Sequence, residues 1–205
     1  MNKPAICIFA LALLMLSVSS QASNPASPQT RCNLTESTAP TVRDLRLGMS
    51  AQQFLALFPG ISKKKEMKDA VERAKSTSSD ETTTLGVDPI ADGDARQFAG
   101  LDAVSAGFYK GRVVDLSLQY GGATWRTVDE WVSKVSEAFM LPGARDWIVG
   151  PNEAPNKVLR CDGILIEAAI QGGSASIRIQ NTNYLRESEE RARAMEERKR
   201  QQVKP

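Results

Sequence analysis

The strongest constraint on the fold of this chain is an internal repeat. The segment Leu57-Phe58-Pro59-Gly60 ends one stretch of helical apolar periodicity, and Met140-Leu141-Pro142-Gly143 ends another. Both stretches begin with a capping signal, because Ser50 and Thr127 are each followed three residues later by Gln or Glu. Two helices of similar design are therefore predicted, and each stops at a Pro-Gly pair.

Strand-like segments follow both helices and align with each other. In one register, Tyr109-Lys110-Gly111 falls on Ile170-Gln171-Gly172. The aligned apolar positions downstream are Val114 with Ala175, Leu116 with Ile177, and Leu118 with Ile179. Alternation of apolar and polar residues is typical of antiparallel strands with one face on a core and the other in water. The predicted fold class is α+β, with two tandem helix-plus-antiparallel-sheet repeats.

The N-terminus has the pattern of a secretory signal. A basic start at Lys3 precedes an almost wholly apolar run from Ala5 to Val18, and small residues around Ala22 suit a signal peptidase. A transmembrane helix is the alternative, but the run is shorter than the roughly 18 to 20 residues that a bilayer requires. We therefore expect cleavage near Ala22 and no integral membrane span.

The remaining chain divides by composition. The segment before the first repeat is rich in Ser, Pro and Ala, and the C-terminus is dominated by Arg and Glu with i,i+4 pairs. The first repeat carries an insertion between its helix and its strands that the second repeat lacks. We interpret this insertion as a short helix or strand followed by a mobile loop. The predicted boundaries are a signal peptide at 1–22, a flexible segment at 23–40, a first repeat at 41–122 with its insertion at 61–100, a second repeat at 123–184, and a charged helix or tail at 185–205.

Two cysteines remain after loss of Cys7 with the leader. Cys32 and Cys161 would reach an oxidising compartment together, where two cysteines usually pair. A reactive thiol is the alternative reading, but the chain has neither a Cys-x-x-Cys motif nor a histidine. A Cys32–Cys161 disulfide is therefore predicted.

The search for catalytic chemistry is mostly negative. The chain has no histidine, which excludes Ser-His and Cys-His nucleophile pairs and the usual general base near neutral pH. No glycine-rich phosphate-binding motif follows a strand, so no cofactor is predicted. Asp88, Asp92 and Asp94 could gather around Ca²⁺, but their spacing misses the EF-hand pattern and no metal site is predicted. The 26 basic and 24 acidic residues nearly balance, which argues against nucleic acid as a partner.

Two motifs resemble a known family. The Gly-Met-Ser helix start within Leu47 to Phe54, and the Lys-Gly-Arg-Val-Val-Asp-Leu-Ser-Leu strand at Lys110 to Leu118, resemble SmpA/OmlA (BamE-type) envelope modules. Tandem copies on one chain are similar to the architecture of the β-lactamase inhibitor protein. The resemblance implies that the two repeats form a continuous sheet with helices on one face, and that the chain binds protein across that sheet. The chain departs from the family pattern in lacking a lipobox and in carrying the long insertion.

These observations favour an exported, non-enzymatic protein-binding or envelope-assembly module. Its expected partner is another envelope or extracellular protein, held on the polar face of the sheet. The candidate binding residues are Tyr109, Asp115, Ser117, Gln119, Ser176, Arg178 and Gln180. The alternative is a histidine-free hydrolase, such as a glycosidase, that works with two carboxylates.

Overall fold

Seven antiparallel strands form one sheet at the centre of the computed structural model, which describes residues 32–78, 81–122, 125–151 and 155–202. The strands are β1 Thr83–Val87, β2 Leu101–Tyr109, β3 Arg112–Tyr120, β4 Ile148–Val149, β5 Asn156–Arg160, β6 Ile164–Gln171 and β7 Ser174–Asn181. Their order across the sheet is β1-β2-β3-β7-β6-β5-β4. The helices are α1 Ala51–Leu57, α2 Lys68–Lys75, α3 Pro89–Asp92, α4 Val128–Ala138 and α5 Thr182–Gln202. The α+β class with one continuous sheet is confirmed, while the predicted signal peptide lies outside the described residues.

The two halves meet at the central pair β3 and β7. Ser117 pairs with Arg178, and the flanking pairs are Leu116 with Ile179 and Leu118 with Ile177. The sequence alignment equates Leu116 with Ile177 and Leu118 with Ile179, so the pairing is symmetrical about Ser117 and Arg178. The halves are therefore related by an approximate twofold axis at this pair, and all four flanking apolar side chains are buried.

The hairpin turns show that the sequence alignment is wrong by one residue at that point. Lys110 and Gly111 form the β2–β3 turn, and Gly172 and Gly173 form the β6–β7 turn, all with positive φ. This is the twist-compatible hairpin turn that favours glycine. Gly111 thus corresponds to Gly173, because a bulge at Val114 adds one residue to β3.

Capping begins the two principal helices as predicted. The Ser50 hydroxyl accepts from the Gln53 amide at 3.2 Å, and the Ser50 amide donates to the Gln53 side chain at 2.8 Å. These two reciprocal bonds form a capping box. At α4 the Thr127 hydroxyl accepts from the Glu130 amide at 3.2 Å, which is one of the two hydrogen bonds of such a box. Both helices pack their apolar faces on the side of the sheet that holds Leu116 and Ile177.

The insertion at 61–100 contains more regular structure than predicted. It holds α2, α3 and the edge strand β1, which begins at Thr83 inside the stretch interpreted as a mobile loop. Strand β1 pairs with β2 along its whole length because Leu85 and Val87 bury their side chains in the core. The alternating apolar residues therefore form a strand here, although the residues before them have the Ser- and Thr-rich composition of a loop.

The segment before the first repeat was predicted to be flexible, but from Cys32 onward it has defined contacts with the rest of the fold. Cys32 is disulfide-bonded to Cys161 and forms a parallel bridge with it. The Asp162 and Gly163 amides donate to the Cys32 and Leu34 carbonyls, each at 3.1 Å. These contacts attach residues 32–34 to the end of the second half of the sheet.

The C-terminal helix α5 begins at Thr182, three residues before the predicted charged segment, and reaches Gln202. Its first turns are half-buried, whereas the side chains from Ala192 to Gln201 are exposed. Among the described helices, including α5, none combines the length and apolar character needed to cross a bilayer.

Candidate functional site

The predicted binding face lies on the side of the sheet opposite Leu116 and Ile177. Its centre is formed by two cross-strand pairs, Ser117 with Arg178 and Gln119 with Ser176. Gln119 and Arg178 are exposed, and the two serines are half-buried beside them. Four of the seven predicted residues therefore form one contiguous polar surface, which we name the central polar face.

Arg178 is held in place by its neighbour across the strand pair. Its Nε donates to Asp115 Oδ1 at 3.0 Å, and its Nη2 donates to Asp115 Oδ2. The hydrogen bonds to Asp115 raise the pKa of Arg178 above its ordinary value. The planar fork leaves the guanidinium charged and fixed in direction, with about half of the side chain exposed. A fixed, exposed arginine of this kind is a suitable anchor for a partner.

Tyr109 and Gln180 are placed differently from the other predicted residues. The Tyr109 hydroxyl accepts from Arg191 at 2.7 Å, and the Tyr184 ring lies 5.0 Å from the Tyr109 ring. Gln180 is buried and donates to Asp115 at 3.2 Å. Tyr109 thus holds the C-terminal helix against one end of the sheet, and Gln180 is covered, so the two residues contribute little free surface.

The carboxylates of the polar side do not form an open pair. Asp115 accepts from both Arg178 and Gln180, and Glu167 Oε1 accepts from Asn156 at 2.6 Å. General acid catalysis needs a carboxyl group that can carry and release a proton at the substrate. Both carboxylates are instead tied to neighbouring donors, which gives the hydrolase alternative no support from this face.

The three aspartates considered for calcium have separate structural roles. Asp88 caps α3 by accepting from the Ala91 and Ile90 amides, which lowers its pKa. Asp92 is buried and pairs with Lys64 at 2.8 Å, and Asp94 accepts from the Arg96 amide. Within the described ranges, no three His, Cys, Asp or Glu side chains lie close enough to hold a metal ion.

A second candidate site is a cleft that the sequence did not reveal. It lies beside α4, on the helix-bearing side of the sheet, and has a volume of about 530 Å³. The side chains that define it are Val42, Arg43, Tyr120, Trp131, Val135 and Phe139. The apolar stripe of α4 is not buried along its whole length, because Ala138 at its end is exposed and Phe139 is half-buried.

The sequence signal for this cleft was the width of the stripe. Aromatic side chains at both Trp131 and Phe139, two turns apart, extend the apolar face beyond what the sheet covers.

Burial raises the pKa of Tyr120 to about 12. The phenol therefore remains protonated at any physiological pH.

Comparison of the chain with protein-family models, with curated proteins and with solved structures finds no match.

Proposed function

We propose that this protein is an exported, non-enzymatic binding or envelope-assembly module that holds a partner protein on the central polar face. The observation that carries the proposal is the position of Arg178. It lies on the twofold axis of a continuous sheet, fixed by Asp115 and flanked by the small side chains of Ser117 and Ser176. A fixed charged group on a flat surface, with few large neighbours, lets a partner's backbone or loop approach closely.

The disulfide supports the exported location. A Cys32–Cys161 bond persists in oxidising compartments and is rare in the cytosol. The test is to isolate the protein from a cell envelope fraction with free thiols blocked at lysis, and to measure its mass before and after reduction. A chain with both cysteines blocked at lysis would contradict the exported location.

The binding face is tested by site-specific photo-crosslinking in envelope extracts. A photoreactive amino acid at Gln119 lies on the central polar face, and the same group at Glu137 lies on α4, on the other side of the sheet. We expect a discrete crosslinked partner band from position 119 and none of the same mass from position 137. Crosslinks from position 137 alone would move the binding site to the helical side.

A matched pair of substitutions then tests affinity. Ser117→Arg adds a large charged side chain at the centre of the face, and Ser133→Arg adds the same group on the exposed side of α4. With the crosslinked partner in purified form, Ser117→Arg should weaken binding at least about tenfold, because the added side chain blocks close approach. Ser133→Arg should leave the affinity unchanged, and equal effects of the two variants would contradict the proposal.

A further inference from the structure

The cleft beside α4 has the size and walls of a small-molecule site. Its volume of about 530 Å³ lies within the range of roughly 300 to 1,000 Å³ that is usual for ligand pockets. Tyr120 and Trp131 meet edge to face with ring centroids 5.0 Å apart, and Phe139 is half-buried beside them. Aromatic walls of this kind favour a flat apolar ligand group.

The cleft also contains a cation without a carboxylate partner. Arg43 donates to the backbone carbonyls of Gln97 and Ala99, the latter at 2.8 Å, and both acceptors are neutral. Among the described residues Arg43 forms no ion pair, whereas Lys134 and Glu137, which also line the cleft, pair with each other at 3.3 Å. A guanidinium has five N–H donors, so donors remain after these two contacts. The positive charge is therefore available to an anion in the cleft.

A polar hydroxyl lies beside that charge. The Tyr120 hydroxyl has no hydrogen-bond partner in the part of the chain that the structure describes. A tyrosine hydroxyl is protonated at physiological pH and burial raises this pKa further, so the Tyr120 hydroxyl can donate to an anion. Arg43 and Tyr120 together provide two donors at one side of an aromatic cavity.

We propose that this cleft binds a small amphipathic aromatic anion, whose ring packs against Trp131 and Phe139 and whose carboxylate accepts from Arg43 and Tyr120. Three observations carry the proposal: aromatic walls, a cation without a carboxylate partner, and a hydroxyl without a partner. The site is separate from the central polar face, so the inference does not depend on the proposed function.

The test uses 2-naphthoate as the probe and isothermal titration calorimetry on the full exported chain. Its neutral analogue, 2-naphthamide, has the same ring and nearly the same shape. We expect saturable 1:1 binding of the carboxylate and at least about tenfold weaker binding of the amide, because the charged group is hydrogen-bonded by Arg43 and Tyr120. Equal affinities for the two compounds, or no binding of the carboxylate at millimolar concentration, would overturn the proposal.

Three variants locate the bound probe. Tyr120→Phe removes one hydroxyl from an otherwise unchanged ring and should weaken 2-naphthoate roughly tenfold. Ala138→Trp fills the exposed end of the cleft and should abolish binding, whereas Ser133→Trp places the same side chain on the outer side of α4 and should have no effect. Because Ala138 and Ser133 are both exposed, neither variant disturbs the core. Retained affinity in Ala138→Trp would show that the probe binds elsewhere and would also overturn the proposal.

Discussion

Phe58 is the C-cap residue of α1 in the first half of the molecule, and Phe139 is the C-cap residue of α4 in the second half. Phe58 is completely buried, and Phe98 stacks on it with ring centroids 4.7 Å apart. Phe139 is half-buried and borders the cleft. The C-cap phenylalanine is therefore enclosed by other side chains in one half and partly open in the other.

The difference comes from the insertion at 61–100. This segment supplies Phe98 and the buried Ile61, and Arg43 bonds to the carbonyls beside Phe98. The second half has no segment of this kind between α4 and its strands. The two copies therefore share a helix and strands, but one has a closed core and the other has a cavity. The core is closed by side chains that the insertion adds, and not by the elements that the two copies share.

Removal of the disulfide should have the largest effect on stability, because this bond connects the segment before the first half to the second half. Cys161→Ser opens a loop of 129 residues, so the unfolded chain gains conformational freedom. The free energy of unfolding should fall by about 4 to 5 kcal/mol on the chain-entropy model. Equilibrium urea unfolding measures this, with reduced wild-type protein as the control that should match the variant. A variant as stable as the oxidised wild type would show that the disulfide does not contribute to the free energy of unfolding.

The second prediction tests the two cap phenylalanines directly. Phe58→Ala should cost about 3 to 5 kcal/mol, since it empties a fully buried site against Phe98. Phe139→Ala removes the same atoms from a half-buried site and should cost less than about 2 kcal/mol. Urea unfolding of the two variants gives the comparison. Similar losses would mean that the cleft is closed in solution.

The third prediction concerns Tyr120 at the cleft. Its pKa of about 12 lies above the ordinary tyrosine value of 10.0, because burial disfavours the phenolate. The neutral form is favoured by folding, so its contribution to stability is present below pH 10 and is lost as the pH rises toward 12. The contribution is at most about 2.7 kcal/mol at 1.36 kcal/mol per pKa unit.

An absorbance titration at the phenolate band measures this value. The difference between the wild type and Tyr120→Phe isolates one phenol and should show its midpoint near pH 12. A difference step centred near pH 10 would show that the phenol is fully hydrated, and the contrast between the open cleft and its buried wall would be lost.

The smallest expected effect is at the junction of the halves. Arg178→Ala removes an ion pair with Asp115 on a half-exposed surface and should change the free energy of unfolding by less than about 1 kcal/mol. A double-mutant cycle with Asp115→Ala isolates the coupling between the two side chains. A coupling well above this figure would mean that the polar face holds the two halves together, in addition to presenting a surface.

The sequence by itself determined the repeated elements. Capping residues at Ser50 and Thr127, and alternation through Leu116 and Ile177, act over a few neighbouring residues, so they can be interpreted without the rest of the fold. The pairing of Cys32 with Cys161 was also predictable, because only one intramolecular bond is possible once Cys7 is assigned to the predicted leader. The continuous sheet was expected from the resemblance to tandem modules, and the pairing of β3 with β7 confirms it.

Only the tertiary structure decided which surfaces are free. Tyr109 was predicted as a binding residue, but Arg191, 82 positions away, takes its hydroxyl. The bulge at Val114, the core role of the insertion and the cleft at Phe139 likewise depend on segments that meet across the fold. Burial is a property of the distant side chains that cover a residue, and no local pattern in the chain records which of them will do so.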